Sequence, residues 1–281
     1  MDRGAVKNGL AASKITGRRA LECDSAGSKI LEGGTFESVA HRGFPEERKE
    51  EQEMIKACIF DLDGTLTKTQ ESIARPVNMT LEHFGLPAMP VKNYNYYAGD
   101  GLDNALKRAL KDAGDPELKH YEEGRPLCRK WFVENSLYHV KPYPHIVEML
   151  KELKKRKIRL AVFSNKMHQG AIDVVTAIFG PDTFDHIQGQ TDTVPIKPDP
   201  QGVYEILREF GVNKTEALYF GDTNTDMLTG HNAGLFTVGV TWGFRPRTEL
   251  EEYRADDIVD DPMEIVDLVD RFNSRGKENV R

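Results

Sequence analysis

Short apolar runs that end abruptly in polar residues recur along the chain after residue 54. Four of them have the length of buried strands, namely Ile55–Phe60, Ile158–Phe163, Ala217–Phe220 and Phe236–Val240. Amphipathic stretches of helical length lie between them, and in one of these the apolar face consists of Val203, Ile206, Leu207 and Phe210. Strands that alternate with helices predict an α/β fold with a doubly wound, Rossmann-like parallel sheet.

Residues 68–141 break this alternation, because they contain several helical patterns and no convincing strand. The segment is bounded by Thr67-Lys68 and by Pro142-Tyr143-Pro144, and these turn residues suit a hinge. An insert after the first strand would lie above the carboxyl ends of the strands, where ligands bind in open α/β sheets. We therefore predict a helical cap over residues 68–141, although an insert that only adds stability is the alternative. The α/β core then comprises residues 54–67 and 142–272, and residues 273–281 form a tail.

Residues 1–53 are rich in polar and charged residues and show no sustained hydrophobic periodicity. They end in a run of charged residues at positions 46–53. This composition predicts a disordered or weakly ordered leader. A targeting peptide is the alternative: Arg18 and Arg19 favour it, whereas Glu22 and Asp24 argue against it.

Composition and charge narrow the range of partners. Lys and Arg number 38 against 45 Asp and Glu, a net charge of -7 that argues against a broad basic face for nucleic acid. No apolar run approaches the roughly 18 residues of a membrane span, so no membrane partner is predicted. The three cysteines, Cys23, Cys58 and Cys128, are too scattered for a disulfide framework or a zinc site. We therefore expect a cytoplasmic protein, either a monomer or a homodimer.

Polar side chains collect where the predicted strands end, and these ends meet at one edge of a parallel sheet. Asp61 and Asp63 alternate around Leu62, so both carboxylates can face the same side while Leu62 enters the core. Several carboxylates without His or Cys are the hard oxygen ligands that suit Mg²⁺. The predicted metal site comprises Asp61, Asp63, Asp222 and Asp226, and the predicted phosphate-binding residues are Ser164, Asn165 and Lys197.

This set of residues predicts phosphoryl transfer. Asp61 could attack phosphorus once Mg²⁺ neutralises the charge between them. Asp63 could protonate the departing alkoxide and later deprotonate the hydrolytic water, and Lys197 could stabilise the phosphoryl oxygens. Each group also has a simpler interpretation, since Asp-Gly forms turns, Ser-Asn caps helices and Lys-Pro-Asp-Pro can be a loop before a helix.

The motifs of the chain resemble those of the haloacid dehalogenase superfamily of phosphohydrolases, in its phosphoglycolate phosphatase-like branch. The similarity spans about residues 54–269 and rests on four motifs, Asp61-Leu62-Asp63-Gly64-Thr65, Ser164-Asn165-Lys166, Lys197-Pro198-Asp199-Pro200 and Gly221-Asp222-Thr223-Asn224-Thr225-Asp226. The resemblance implies that Asp61 is the nucleophile and Asp63 the general acid and base. It also implies Mg²⁺ ligation by the Asp61 carboxylate, the Asp63 backbone carbonyl and Asp222, with Asp226 in support.

The predicted cap bears on the substrate. Its Gly99 and Gly101 are similar to the Gly-x-Gly segment of phosphoglycolate phosphatases, which implies 2-phosphoglycolate or another small phosphorylated metabolite. Arg75 and Lys107 are candidates to hold a substrate carboxylate, although most basic side chains on such helices only face solvent. A sugar phosphomutase, a nucleotide or pyrophosphate phosphatase, and a catalytically silent phosphate-binding module remain as alternatives.

Overall fold

A six-stranded parallel sheet lies at the centre of the structure. The coordinates are a computed structural model, and they describe residues 54–278. The predicted leader, residues 1–53, and its targeting-peptide alternative lie outside the described residues. The described strands are β1 (Ala57–Phe60), β2 (Thr67–Lys68), β3 (Lys141–Pro142), β4 (Arg159–Met167), β5 (His186–Gln190), β6 (Ala217–Gly221), β7 (Phe236–Val240) and β8 (Asp257–Val259). The large sheet has the order β5-β4-β1-β6-β7-β8, and every neighbouring pair in it is parallel.

Helices cover both faces of this sheet. The described α-helices are α1 (Gln70–His83), α2 (Tyr94–Tyr97), α3 (Leu102–Asp112), α4 (Tyr121–Glu134), α5 (Ile146–Lys155), α6 (His168–Phe179), α7 (Gln201–Phe210), α8 (Asn224–Ala233), α9 (Arg247–Glu252) and α10 (Met263–Glu278). In β1, Cys58 and Phe60 join an apolar cluster with α5, α6 and α10, whereas Ala57 and Ile59 join another with α7. Because alternate residues of a strand point to opposite faces, a strand covered on both sides is apolar throughout. The predicted doubly wound α/β fold is confirmed.

Some element boundaries differ from the prediction. The hydrophobic pattern misses β5, which contains Gln188 and Gly189, and β8, which has three residues, because neither makes an apolar run. The strand predicted to stop before Ser164 continues to Met167. At the other end of the core, α10 continues to Glu278, past residue 272 and through most of the predicted tail. Within residues 54–278, no helix combines the length and the apolar character needed to cross a membrane.

Helices α1 to α4 occupy the inserted segment and share an apolar cluster that includes Leu81, Tyr94, Leu106 and Leu110. The segment is entered and left through β2 and β3, which pair antiparallel. Two-residue strands leave no hydrophobic pattern, so the sequence does not predict this pairing. The segment has its own apolar cluster, and the short strands β2 and β3 pair where it joins the core. We therefore retain residues 68–141 as the proposed cap.

Candidate active site

The carboxyl ends of three central strands bring the predicted polar residues together. Asp61 directly follows β1, Ser164 lies in the last part of β4, and Asp222 directly follows β6. Strand β1 lies between β4 and β6, so these residues share one edge of the sheet. Leu62 is fully buried in the apolar core, while Asp61 and Asp63 both line the same cavity. This placement agrees with the alternation predicted around Leu62.

Three buried carboxylates form an acid cluster at this edge. One oxygen from each of Asp61, Asp222 and Asp226 lies within 4.8 Å of the others. The buried Lys197 donates from Nζ to Asp61 Oδ1 at 2.6 Å and to Asp226 Oδ1 at 2.7 Å. Two of the three carboxylates therefore share one ammonium group, and the third, Asp222, has no such partner in the cluster. Such an excess of buried negative charge is unfavourable unless a proton or a cation balances it.

The pKa values of the cluster reflect this imbalance. Burial raises the pKa of Asp61 to about 7; Lys197 opposes the change, and the charge of Asp226 adds to it. Burial also raises the pKa of Asp222 well above its usual range, with Asp226 and Asp61 acting in the same direction. Burial alone would lower the pKa of Lys197, but Asp226 and Asp61 hold it well above its usual range. Lys197 therefore stays protonated, and the carboxylates are left to bind protons or a cation.

Asp222 is held in a close-fitting cradle. Thr65 Oγ1 donates to its Oδ1 at 2.8 Å, and the Phe244 backbone N–H donates to its Oδ2 at 2.7 Å. A Cβ atom added at Gly64 or at Gly243 would collide with the Asp222 side chain. Gly64 also has a φ of 98°, a conformation that favours glycine. The carboxylate is therefore fixed in position before any ligand binds.

The donor set fits Mg²⁺, because hard carboxylate oxygens with excess negative charge are what this cation binds. Asp61 and Asp222 are the best placed to hold it. Asp226 belongs to the cluster, but its Oδ1 accepts from Lys197 and its Oδ2 accepts from the backbone N–H and hydroxyl of Thr223. Asp226 thus mainly supports Lys197 and the start of α8. The side chain of Asp63 lies outside the cluster and pairs instead with Lys166.

The two predicted phosphate-binding residues of β4 differ in their surroundings. Ser164 lines the cavity, and its Oγ accepts a hydrogen bond from the Lys166 backbone N–H at 3.2 Å. The Asn165 side chain accepts from the Lys197 backbone N–H at 2.8 Å and donates to the carbonyls of Lys197 and Gly99 at 3.3 and 3.2 Å. These bonds use both N–H donors of the Asn165 amide, which are the groups that could donate to a phosphate. Its side chain therefore joins the cap to the backbone of Lys197, in contrast to the predicted contact with phosphate.

A second hydrogen bond connects the cap segment around Gly99, between α2 and α3, to the core. The Arg245 side chain, 9% exposed, donates from Nη2 to the Ala98 carbonyl at 3.2 Å and from Nε to Glu249 at 3.0 Å. The Arg245 guanidinium also lies 4.9 Å from the ring centroid of Tyr96. With the bond from Asn165 to Gly99, two consecutive cap carbonyls accept hydrogen bonds from the core, one from strand β4 and one from the loop after β7. The proposed cap is therefore held against the core at the site, which is a closed arrangement.

Between cap and core lies a cavity of about 50 Å³. Gly99 and Gly101 line it, and their φ values of 118° and 95° explain why glycine occupies both positions. Arg75 and Lys107 do not line it. Arg75 donates to Asn135 and Lys107 lies over the Tyr121 ring, so the structure does not bring these two candidates to the site.

Sequence reasoning assigned no role to three residues that matter here. Thr65 and Lys166 stand inside the motifs quoted above, and their hydroxyl and ammonium groups were the available signal. Arg245 lies in no motif. Its contact with the cap depends on how the loop after β7 approaches residues 96–98, which the local pattern does not encode.

Comparison with known proteins assigns the family. The sequence profile of the haloacid dehalogenase-like hydrolases matches residues 58–240. The chain belongs to this family. Within it, the enzyme is similar to a phosphoglycolate phosphatase from Aquifex aeolicus, with 32% identity over 216 residues that cover 77% of this chain and 97% of that protein. The hydrolase is therefore a phosphatase of the phosphoglycolate phosphatase-like kind.

Solved structures agree with this assignment to the haloacid dehalogenase-like hydrolases. A predicted phosphoglycolate phosphatase from Haemophilus somnus is 27% identical, with a TM-score of 0.69 over 76% of this chain and 97% of that one. A mutant of CbbY from Rhodobacter sphaeroides, solved with xylulose-(1,5)bisphosphate, is 26% identical, with a TM-score of 0.61 over 75% of this chain and 96% of that one. The similarity in both cases extends over nearly the whole of the solved chain.

Proposed function

We propose that this protein is a Mg²⁺-dependent phosphomonoester hydrolase that acts through an aspartyl phosphate at Asp61. Its first candidate substrate is 2-phosphoglycolate. The observation that carries the proposal is the buried acid cluster: Asp61 is paired with Lys197, lies beside Asp222, and borders the cavity under the cap. A binding module has no need for a second acid, Asp63, on the wall of the same cavity.

The residues of the chain supply each step of the reaction. A carboxylate oxygen of Asp61 would attack phosphorus, and the ester P–O bond would break. Asp63 in its acid form would give its proton to the leaving oxygen. Asp63 would then take a proton from the water that attacks the aspartyl phosphate, which releases inorganic phosphate and restores Asp61.

The surrounding groups stabilise and orient this chemistry. Lys197, held by Asp226, would place a positive charge beside the transferred phosphoryl oxygens, and the Ser164 hydroxyl would donate to them. Mg²⁺ held by Asp61, Asp222 and the Asp63 backbone carbonyl would neutralise charge on the nucleophile and on the phosphoryl group. The closed cap would exclude water from the reacting atoms.

Two observations bear on the substrate. The cavity under the cap is small, about 50 Å³, so a small phosphorylated metabolite fits the closed cap better than a nucleotide. The relatives named phosphoglycolate phosphatase support 2-phosphoglycolate. The likeness to CbbY bound to a sugar bisphosphate favours a sugar phosphate as the second candidate substrate. A phosphomutase is the alternative outcome for such a substrate.

Phosphate release tests the proposal. Purified protein is incubated with a panel of phosphorylated metabolites that includes 2-phosphoglycolate, sugar phosphates and nucleotides. We expect release of inorganic phosphate that requires Mg²⁺, stops with EDTA and is lost in Asp61→Asn. Conversion of a sugar phosphate to an isomer without net phosphate release would indicate the mutase. Absence of turnover with every ester would favour the silent module.

A further inference from the structure

We propose that Lys166 recognises an anionic leaving group and gives the enzyme a preference for phosphomonoesters whose leaving group carries a carboxylate. This inference rests on the proposed function, since it assigns the leaving-group side of the same site. It replaces Arg75 and Lys107, which the structure places elsewhere, with a residue at the cavity.

Lys166 lies beside the proposed proton donor. Its side chain is fully buried near the end of β4, and its Nζ is 3.2 and 3.3 Å from the two carboxylate oxygens of Asp63. The Asp63 acid must approach the leaving oxygen to protonate it. Lys197 is instead bound to the nucleophile Asp61. The two buried lysines therefore pair with different carboxylates, and Lys166 is the one beside the acid that would protonate the leaving group.

Among the described residues, the other side chains that line this part of the cavity carry no positive charge. The cap residues that line the cavity with their side chains are apolar, namely Ile73, Leu102, Ala105 and Phe132. Among the described residues that line this cavity, Lys166 is the only one with a basic side chain. A substrate carboxylate placed there would be strongly destabilised unless it paired with this ammonium group.

The geometry of a small substrate brings its carboxylate within reach. In 2-phosphoglycolate one methylene separates the carboxylate carbon from the ester oxygen that Asp63 would protonate. A group hydrogen-bonded to Asp63 is therefore adjacent to that carboxylate. The Lys166 ammonium has three donors and no fixed fork, so it can share them between Asp63 and the substrate.

Cap closure strengthens this pairing. The Lys166 Nζ lies 4.7 Å from the ring centroid of Phe132, which belongs to cap helix α4. The ring packs over the ammonium group, and the Lys166 side chain is fully buried in this structure. Since electrostatic attraction is stronger when water is excluded, a carboxylate next to Lys166 would be recognised best with the cap closed.

The test compares two substrates that share the phosphate ester and differ in the group that carries this charge. We measure kcat/KM for 2-phosphoglycolate and for 2-hydroxyethyl phosphate, in which a hydroxymethyl group replaces the carboxylate. The ratio of the two values cancels any general damage to catalysis. Loss of one charge-assisted hydrogen bond corresponds to about a 10- to 100-fold change. We therefore expect Lys166→Met to lower the ratio by about 10-fold or more, mainly through KM for 2-phosphoglycolate.

Two further variants keep the result interpretable. Lys107→Met removes a cap lysine that lies over Tyr121, and it should leave the ratio unchanged. Lys166→Arg keeps the charge and should retain part of the preference, which gives a second measurement if the Met variant folds poorly. Equal losses on both substrates in the Lys166 variants would show that Lys166 only orients Asp63. The absence of a preference for 2-phosphoglycolate in the wild type would likewise overturn the assignment of Lys166. Failure of the wild type to hydrolyse either ester would instead overturn the proposed function.

Discussion

Replacement of Asp61 by Asn should make the metal-free protein more stable while it abolishes turnover. Asp61 is buried with Asp222 and Asp226, and the cluster shares Lys197 as its hydrogen-bonded cation. The Asn side chain removes one negative charge but keeps an oxygen that can accept from Lys197. The cost of burying the charge is therefore removed, whereas the hydrogen bond is preserved.

The expected gain follows from the raised pKa. Folding moves the pKa of Asp61 from about 4 in an unfolded chain to about 7, so between these values the folded state binds the proton more tightly. The contribution of Asp61 to the free energy of unfolding of the metal-free protein therefore falls as pH rises from about 4 and levels off above about 7. The full difference corresponds to about 4 kcal/mol, since each pKa unit is about 1.4 kcal/mol. Because Asp222 shares the excess charge, we expect Asp61→Asn to recover about 2 kcal/mol above pH 7.

Urea unfolding in the presence of EDTA measures this gain in the free energy of unfolding. When Mg²⁺ replaces EDTA, the cation should stabilise the wild type more than the variant. Asp115→Asn is the matched control. Asp115 is also buried, and burial raises its pKa, but the backbone N–H groups of His120 and Lys119 outweigh that effect and lower it. Asp115→Asn should therefore destabilise the protein. If Asp61→Asn destabilises the metal-free protein as Asp115→Asn does, the acid cluster is not strained by its charge and the reasoning is wrong.

Three other variants test separate parts of the site. Thr65→Val removes the hydroxyl that orients Asp222, so the Mg²⁺ concentration for half-maximal activity should rise about 10-fold. An unchanged Mg²⁺ titration would contradict the role of Thr65 in positioning the Asp222 carboxylate. Arg245→Met removes the hydrogen bond to the Ala98 carbonyl. Steady-state kinetics should then show KM rising about 3- to 10-fold with a smaller change in kcat. A loss in kcat alone would argue against a role of Arg245 in holding the cap. Gly101→Ala places a residue with a side chain at backbone angles of φ 95° and ψ 159°, so the free energy of unfolding should fall by about 1–3 kcal/mol. An unchanged urea midpoint would show that this backbone conformation is not strained.

The sequence predicts the central layers of this fold because β1, β4, β6 and β7 are buried on both faces and therefore form continuous apolar runs. The edge strands β5 and β8 escape prediction because they are half-exposed or very short. Likewise, the strand predicted to end before Ser164 continues to Met167. Hydrogen bonds to neighbouring β5 extend it, and the hydrophobic pattern does not record them.

The candidate site shows the same division between local and long-range information. Asp61, Asp63, Ser164 and Asp222 were identifiable because each stands at the end of a predicted strand. The hydrogen-bond partners of these residues could not be predicted, because partners can lie far apart in the sequence. Lys166 and Asp63, for example, are separated by 103 positions along the chain. Arg75 and Lys107 were candidates by charge and cap location alone, and those criteria do not say which face of a helix meets the substrate.

Detection of an aspartyl phosphate at Asp61 tests the central claim most directly. Wild-type protein is mixed with Mg²⁺ and a radiolabelled phosphomonoester that it hydrolyses, quenched in acid within one turnover, and digested. We predict a hydroxylamine-sensitive label on the peptide that contains Asp61 and no label in Asp61→Asn. Continued turnover in Asp61→Asn, or a label that resides on another peptide, would contradict the account.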